Sequence, residues 1–179
     1  DFQARLMPAI HEGAALVAHA QKLVAAAGLL GVPVLMTEQN PAGLGGTVPE
    51  LAGAGPVIAK MSFDACAEGA FLEALEGDGQ IVLCGCEAHV CVGQTALSLL
   101  AHRRRVALVQ DATGSRRPES KDAALARLAR HGAEIRVVPG TYDDAVRAAQ
   151  RTAEAEGWFV VSDTSYPGYT EVPRDVMQG

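Results

Sequence analysis

Cys91 is the residue of this sequence best placed to act as a nucleophile. The apolar run 81–84 is broken at Gly85, and a tight bend then leads to Cys91 at the start of a helical pattern. We expect such a cysteine to be exposed at a sheet edge, facing the partial positive charge of a helix end, which favours thiolate over thiol. A buried structural cysteine is the alternative, and it is the commoner role of a lone intracellular cysteine. The spacing leaves both interpretations open.

Two charged side chains, Asp1 and Lys60, can support a cysteine nucleophile. A carboxylate can take the thiol proton and return it to a leaving group, and an ammonium stabilises a thiolate by charge. Backbone N–H groups near Glu87 and Cys91 can stabilise an oxyanion. Lys60 directly follows the apolar run 56–59, so it is expected at the edge where open α/β sheets bind ligands. The alternatives are a strand-end lysine that reaches solvent and a solvated Asp1.

Four further residues are candidates for the wall of a substrate pocket: Glu38, Gln39, Phe63 and His89. Glu38 and Gln39 follow a predicted strand and so belong to the same edge, although a solvated loop carboxylate is an equal alternative for Glu38. His89 lies two residues before Cys91, which permits a Cys–His pair. A histidine in a tight bend more often hydrogen-bonds the backbone.

Short apolar runs alternate with longer segments of helical periodicity, and this alternation predicts the fold. The runs are 32–36, 56–59, 81–84, 106–109, 135–138 and 158–161, and the helical segments are 9–28, 67–76, 91–103, 119–131 and 142–156. Continuous apolar strands separated by helices are typical of a parallel sheet covered on both faces. We therefore expect an α/β protein with a doubly wound, three-layer, Rossmann-type parallel sheet of about six strands.

The composition excludes several function classes. The 179 residues suffice for one domain, and the net charge of -6 argues against a nucleic-acid or anionic-membrane surface. We expect no apolar run to reach the roughly 18 residues of a membrane span. The four cysteines fit neither a zinc site nor a disulfide framework. These features predict a reduced, cytoplasmic protein with neither a nucleic-acid nor a membrane partner.

Five motifs spread over residues 1 to about 135 resemble the isochorismatase-like cysteine hydrolase superfamily. They are Asp1-Phe2-Gln3, Thr37-Glu38-Gln39-Asn40-Pro41, Lys60-Met61-Ser62-Phe63, Gly85-Cys86-Glu87-Ala88-His89-Val90-Cys91-Val92 and Val109-Gln110-Asp111-Ala112. The resemblance implies an isochorismatase-like hydrolase domain over residues 1–135 with the doubly wound fold. It also implies a small-molecule substrate and, because members usually assemble into dimers or larger rings, a homo-oligomer.

The resemblance assigns a role to each candidate residue. Asp1 would be the general base and acid, Lys60 the electrostatic support, and Cys91 the nucleophile that carries the acyl group. The oxyanion hole would use the N–H groups of Glu87 and Cys91 and would be shaped by a cis peptide between Cys86 and Glu87. Members cleave amides and related C–N bonds. True isochorismatases lack the cysteine and hydrolyse a vinyl ether, so Cys91 argues against that substrate.

No metal or other cofactor is implied by the resemblance. Nicotinamidases of the superfamily carry a metal-binding set of aspartate and histidine after the second strand, whereas residues 37–49 contain no histidine. We therefore expect a metal-independent enzyme and do not favour nicotinamidase activity.

The sequence departs from the superfamily's pattern at both ends. The strand that normally precedes the aspartate, in mid-sheet, is not in this sequence. Residues 136–179 resemble a fragment of diaminopropionate ammonia-lyase, a pyridoxal-phosphate enzyme with an aspartate that corresponds to Asp163, but that family's Schiff-base lysine motif is absent. We expect a βαβ-like extension packed on the same domain, with the strand 158–161 either beside 135–138 or in the vacant central position.

Two other functions stay open at this point. One is a non-catalytic α/β fragment or chimera built on the same scaffold, and the other is a protein related to the pyridoxal-phosphate lyase. Alkylation separates the first from a hydrolase, because an activated thiol reacts well below the pH at which an ordinary thiol, with a pKa of about 8.5, ionises. A new absorbance band on adding pyridoxal phosphate would indicate the second.

Overall fold

The computed structural model describes residues 1–75, 77–135 and 151. The chain divides into two compact units, residues 1–135 and 136–179, and of the second unit only Arg151 is described. The predicted βαβ-like extension therefore lies outside the described residues. The same holds for Asp163, for the strand 158–161 and for nearly all of the predicted elements 135–138 and 142–156.

Helices and strands alternate along residues 1–135. The helices are α1 (Gly13–Leu30), α2 (Pro41–Leu44), α3 (Gly69–Glu73), α4 (Gly93–Ala101) and α5 (Pro118–Arg130), and the strands are β1 (Met36–Gln39), β2 (Val57–Lys60), β3 (Ile81–Cys86) and β4 (Val106–Gly114). Short 3₁₀ turns cover Met7–Ala9, Pro49–Leu51 and Ala65–Ala67. This order of elements, with parallel strand pairing, confirms the predicted α/β class.

The four described strands form two parallel pairs. β1 pairs with β2 in a register that places Gln39 beside Lys60, and β3 pairs with β4. After α5, Glu134 forms an isolated parallel bridge to Ala107 of β4. Over residues 1–75 and 77–135 the two pairs are not hydrogen-bonded to each other, so the expected sheet is seen there as two separate two-stranded ladders.

The first strand begins later than its apolar run predicts. The run covers residues 32–36, but the ladder with β2 starts at Met36, whose N–H donates to the Pro56 carbonyl at 2.8 Å. The position of the hydrogen-bonding partner, rather than hydrophobicity, sets this boundary. The polar residues 37–39 consequently lie inside β1 instead of after it, and they are partly or fully buried.

Two separate hydrophobic clusters hold the elements together. The first joins α1 to the strand ends and includes Phe2, Leu16, Val17, Met36 and Cys86. The second joins α3, α4 and α5 to β4 and includes Phe71, Leu99, Val106, Leu125 and Leu128. Each large side chain removed from water contributes about 1.5–3 kcal/mol. Two clusters are what helices produce when they cover the two faces of parallel strands.

The helix α1 is long and apolar enough, by length and composition alone, to cross a membrane. Its mean hydropathy is 1.4 over 18 residues, so the prediction that no segment approaches a span's length is wrong. A helix packed in a protein core meets the same criteria, and Leu16, Val17 and Ala20 bury one side of α1 in the first cluster. The apolar character of α1 is therefore accounted for in part by core packing.

Candidate active site

A buried ion pair joins the end of β2 to Asp1. Lys60 is the last residue of β2, and its Nζ lies 3.0 Å from Oδ2 of Asp1. The side chains are 1% and 0% exposed, respectively. The two alternatives that the sequence left open, a Lys60 that reaches solvent and a solvated Asp1, are therefore both wrong. Burying two charges costs several kcal/mol per ion unless each finds partners.

Cys91 contacts the same ammonium. Burial lowers the pKa of Lys60, and the charge of Cys91 together with a hydrogen bond from Lys60 to its side chain acts in the opposite direction. Asp64 and Glu68 also favour the charged form of Lys60. The three residues predicted to form the triad are thus gathered around one ammonium.

The Lys60 ammonium and the Asp1 carboxylate are each fixed by a neutral side chain of β1. Gln39 accepts a hydrogen bond from Lys60 Nζ through Oε1 at 2.9 Å, while its Nε2 donates to the Met61 carbonyl at 2.8 Å. Thr37 Oγ1 donates to the second oxygen of Asp1, Oδ1, at 2.6 Å. Because both ends of the Gln39 amide are engaged with protein groups, Gln39 holds Lys60 instead of offering its amide to a substrate.

Gln3 supports this arrangement through hydrogen bonds to Gln39 and Gly45. It is completely buried, its Oε1 accepts from the Gln39 N–H at 2.8 Å, and its Nε2 donates to the carbonyls of Gln39 at 3.0 Å and Gly45 at 2.6 Å. Gln3 and Thr37 were not among the predicted site residues. Both lie in the quoted motifs. Gln3 stands between the apolar residues Phe2 and Ala4, which is a weak signal for it, whereas Thr37, next to Glu38, gave none.

Cys91 lies on a turn that begins where β3 ends. The turn, Ala88–Val92, is π-helical and precedes α4, so Cys91 is inside the turn and not at the first residue of the helix. It is 9% exposed, which corrects the expectation of an exposed thiol. The N–H groups of Val90 and Val92 donate to the Glu87 carbonyl at 3.0 and 3.2 Å.

The end of β3 approaches Asp1 closely. Gly85 has a φ of +127°, and a side chain there would place its Cβ 3.0 Å from the backbone N of Asp1, so glycine is required. The Cys86 N–H donates to the Asp1 carbonyl at 3.2 Å. The peptide bond between Cys86 and Glu87 is cis, at the position that the resemblance implies.

Glu87 is held by Arg116, which follows β4. The Arg116 guanidinium donates through Nη2 at 2.7 Å and Nε at 3.1 Å, and the Arg116 backbone N–H donates at 3.0 Å. Burial by itself raises the pKa of Glu87, but these hydrogen bonds and the positive charge outweigh burial and leave the pKa lowered. Arg116 was missed because two residues 29 positions apart give no periodic signal.

The remaining pocket candidates have different surroundings. Glu38 Oε1 accepts from the Thr47 N–H at 2.6 Å and from Thr47 Oγ1 at 2.8 Å, so this half-buried carboxylate fixes a loop. His89 is exposed and its Nδ1 lies 3.0 Å from Ser115 Oγ, so it bonds a side chain and not the backbone. Phe63 is 55% exposed.

The other three cysteines are surrounded by groups that disfavour a thiolate. All four cysteines are free. Burial raises the pKa of Cys86 to about 11, and burial with the nearby Asp64 carboxylate raises that of Cys66 to about 12. Burial also raises the pKa of Cys84. Among the residues that the structure describes, no group of three or more His, Cys, Asp and Glu side chains is arranged to hold a metal ion.

Comparison with known sequences places this site in context. A family model described as Isochorismatase domain matches residues 1–138. Isochorismatase domain-containing protein 1 of Salmo salar is 44% identical over 74% of this chain and 48% of its own length. Isochorismatase domain-containing protein 2A of Mus musculus is 33% identical over 99% of this chain and 80% of its own length. The chain spans about half the length of the first two curated relatives, 48% and 57%.

Two solved structures extend the comparison. The MAR1 ribonuclease of Caenorhabditis elegans has a TM-score of 0.75 and 28% identity, and the match covers 99% of this chain and 86% of that chain. YcaC of Pseudomonas aeruginosa, solved with hexane-2,5-diol and covalent acrylamide, has a TM-score of 0.71 and 28% identity, over 75% of this chain and 71% of that chain. Isochorismatase domain-containing protein 2A and the MAR1 ribonuclease each match 99% of this chain, and so include residues beyond 135. The resemblance of residues 136–179 to diaminopropionate ammonia-lyase gains no support from them.

Proposed function

The chain belongs to the isochorismatase family, and we propose that it is a cysteine hydrolase that cleaves a C–N bond of a small amide-like substrate. The observation that carries this proposal is the buried Lys60 ammonium, which bonds the Asp1 carboxylate at 3.0 Å and contacts Cys91. A nucleophile, a proton acceptor and a fixed positive charge are the groups that cysteine-dependent acyl transfer needs.

In the first half of the reaction, Asp1 takes the proton of the Cys91 thiol, and Lys60 stabilises the resulting thiolate. The thiolate attacks the substrate carbonyl carbon, a C–S bond forms, and negative charge develops on the carbonyl oxygen. The N–H groups of Glu87 and Cys91 are the donors proposed to stabilise that charge. The C–N bond then breaks, and the leaving amine takes the proton held by Asp1, which leaves a thioester on Cys91.

The second half of the reaction returns the enzyme to its starting state. Asp1 takes a proton from a water molecule as that water attacks the thioester carbonyl carbon. The C–S bond breaks, the carboxylic acid leaves, and the proton on Asp1 returns to the Cys91 sulfur. One water molecule is consumed for each amide cleaved, and no electrons are transferred to or from another reagent.

Energetics favour a functional reason for the buried charges. Replacing a buried ion pair by apolar side chains of similar volume is often neutral or stabilising, so such a pair is weak evidence for a purely structural role. Perturbed ionisable groups cluster at functional sites instead. The Asp1–Lys60 pair, with a thiol added to it, fits the second description.

The proposal is tested with p-nitrophenyl acetate, whose cleavage is followed by absorbance, and with a panel of small primary amides followed by ammonia release. We expect a burst of p-nitrophenolate and a mass increase on Cys91, and we expect both to disappear in Cys91→Ser. Cys66→Ser is the matched control, because that cysteine is also free but lies outside the ion pair. A Cys91→Ser variant as active as Cys66→Ser would contradict the proposal.

We further propose that the reaction needs neither a metal ion nor an organic cofactor. Activity should therefore survive dialysis against a chelator, and adding pyridoxal phosphate should change neither absorbance nor rate. RNA is not proposed as a substrate, although the C. elegans relative is named a ribonuclease, because the chain's net charge of -6 disfavours polyanions. Self-association also stays a prediction, to be measured by sedimentation.

A further inference from the structure

We infer that Arg116 is a positioning residue that holds the proposed oxyanion hole in place through Glu87. This inference rests on the proposed function, since it concerns the same site. Arg116 lies between β4 and α5, outside the Asp1–Lys60–Cys91 cluster. The turn Ala88–Val92, which carries Cys91, is called the nucleophile turn below. Arg116 is linked to it through the Glu87 carboxylate, to which its side chain and its backbone N–H both donate hydrogen bonds.

Glu87 directly precedes the nucleophile turn and holds it by backbone hydrogen bonds. Its carbonyl accepts the N–H groups of Val90 and Val92, the two residues on either side of Cys91. Its own N–H is one of the two proposed oxyanion donors. A shift of Glu87 would therefore move the nucleophile and the oxyanion donor relative to each other, and a displacement of about 1 Å can cost about a hundredfold in rate.

Arg116 restrains Glu87 in direction as well as in distance. Nη2 donates to Oε1 at 2.7 Å, Nε lies 3.1 Å from both oxygens, and the backbone N–H donates to Oε2 at 3.0 Å. A planar guanidinium facing a carboxylate fixes the orientation of both groups, which a lysine ammonium does not do. The neighbouring Ser115 forms a further hydrogen bond to the turn, between its Oγ and His89 Nδ1 at 3.0 Å.

Exposure separates this role from a general contribution to stability. The Arg116 side chain is 62% exposed, whereas that of Glu87 is 7% exposed. The exposed guanidinium is screened by water, and the Arg116 backbone N–H, which any substitution keeps, still donates to the Glu87 carboxylate. A substitution of Arg116 is therefore expected to keep the fold and to lower the melting temperature only slightly while it alters the geometry of the turn.

Two reactions of Cys91 distinguish positioning of the oxyanion donor from activation of the thiol. Attack on p-nitrophenyl acetate places negative charge on a carbonyl oxygen, while displacement of iodide from iodoacetamide does not. In Arg116→Gln we expect the acylation rate to fall about tenfold and the alkylation rate of Cys91 to stay within about twofold of the original protein. Arg116→Lys should be intermediate. Arg117→Gln, which removes an exposed neighbouring arginine, should change neither rate.

A second variant keeps the inference testable if Arg116→Gln folds poorly. Glu87→Gln breaks the same ion pair from the other side, and the double variant should be no slower than the slower single variant, because both remove one interaction. Equal falls in acylation and alkylation, or acylation unchanged in both single variants, would overturn the inference. If the unsubstituted protein shows no acylation of Cys91, the proposed function fails as well, which is a distinct result.

Discussion

The site contains two carboxylate–cation pairs that differ in their access to water. Asp1 and Lys60 are 59 positions apart in the sequence and meet with side chains that are 0% and 1% exposed. Glu87 and Arg116 are 29 positions apart, and the arginine side chain is 62% exposed. The first pair also contacts Cys91, whereas the second pair is attached to the backbone of the turn on which Cys91 lies.

This difference separates two tasks that a nucleophilic site requires. Charges interact strongly where water is excluded, so the buried pair can hold a thiolate and move a proton. The second pair, called the exposed pair because its arginine is exposed, is screened more strongly and adds less stability, but its fixed hydrogen-bond geometry can orient a loop. We therefore expect substitutions in the buried pair to abolish the chemistry and substitutions in the exposed pair to make it less efficient.

The largest effect is expected from Lys60→Met. It removes the positive charge beside Cys91 and leaves the Asp1 carboxylate buried without its counter-ion, which costs about 3 kcal/mol. We expect kcat/KM for p-nitrophenyl acetate to fall about a thousandfold and the melting temperature to fall as well. Lys22→Met, an exposed lysine of α1, is the matched control and should change neither. A Lys60→Met variant within tenfold of the control would contradict the account.

A smaller effect is expected from Gln39→Met. Met is similar in size to Gln but lacks the oxygen that accepts from Lys60 Nζ at 2.9 Å. A hydrogen bond to a charged group is worth about 1.5–3 kcal/mol. We expect the acylation and alkylation rates of Cys91 to fall together, about tenfold at neutral pH. Gln21→Met, at an exposed position, serves as control. A drop in acylation alone would assign Gln39 to the oxyanion side of the site.

The smallest effect is expected from acid acting on the exposed pair. The pKa of Glu87 is lowered from its ordinary value of 4.5, so the folded protein keeps this carboxylate ionised to a lower pH than the unfolded chain does. The pair's contribution to the free energy of unfolding is therefore fully present above about pH 4.5 and is lost as the pH falls through the lowered pKa. The melting temperatures of the original protein and Arg116→Gln should differ slightly at neutral pH and converge in acid. A gap that widens in acid would show that another group carries it.

The sequence was sufficient to predict the α/β class and the family. The classes of element follow from local periodicity, which a single sequence carries. The gathering of Asp1, Lys60 and Cys91 was expected because parallel strands end at a common edge. The start of β1 was misplaced, because it depends on the Met36 N–H donating to Pro56, the residue just before β2.

What the sequence could not supply was the pairing of polar side chains. Gln39 and Glu38 were assigned to the pocket wall, yet their polar atoms bond Lys60 and Thr47. Arg116 gave no signal because its partner is remote in the sequence and its neighbour Arg117 is also an arginine. Such pairings depend on which side chains the fold brings within 3 Å, and residue type alone does not determine that.

The most direct test of the account is the order in which the cysteines react. Each cysteine's alkylation rate by iodoacetamide near pH 7 can be measured by peptide mass spectrometry on one sample. Cys66 is more exposed than Cys91, so accessibility alone predicts that Cys66 reacts first. The account predicts the reverse, because an ammonium accompanies Cys91 whereas a carboxylate accompanies Cys66. Faster labelling of Cys66 than of Cys91 would contradict the claim that the buried ion pair activates a nucleophile.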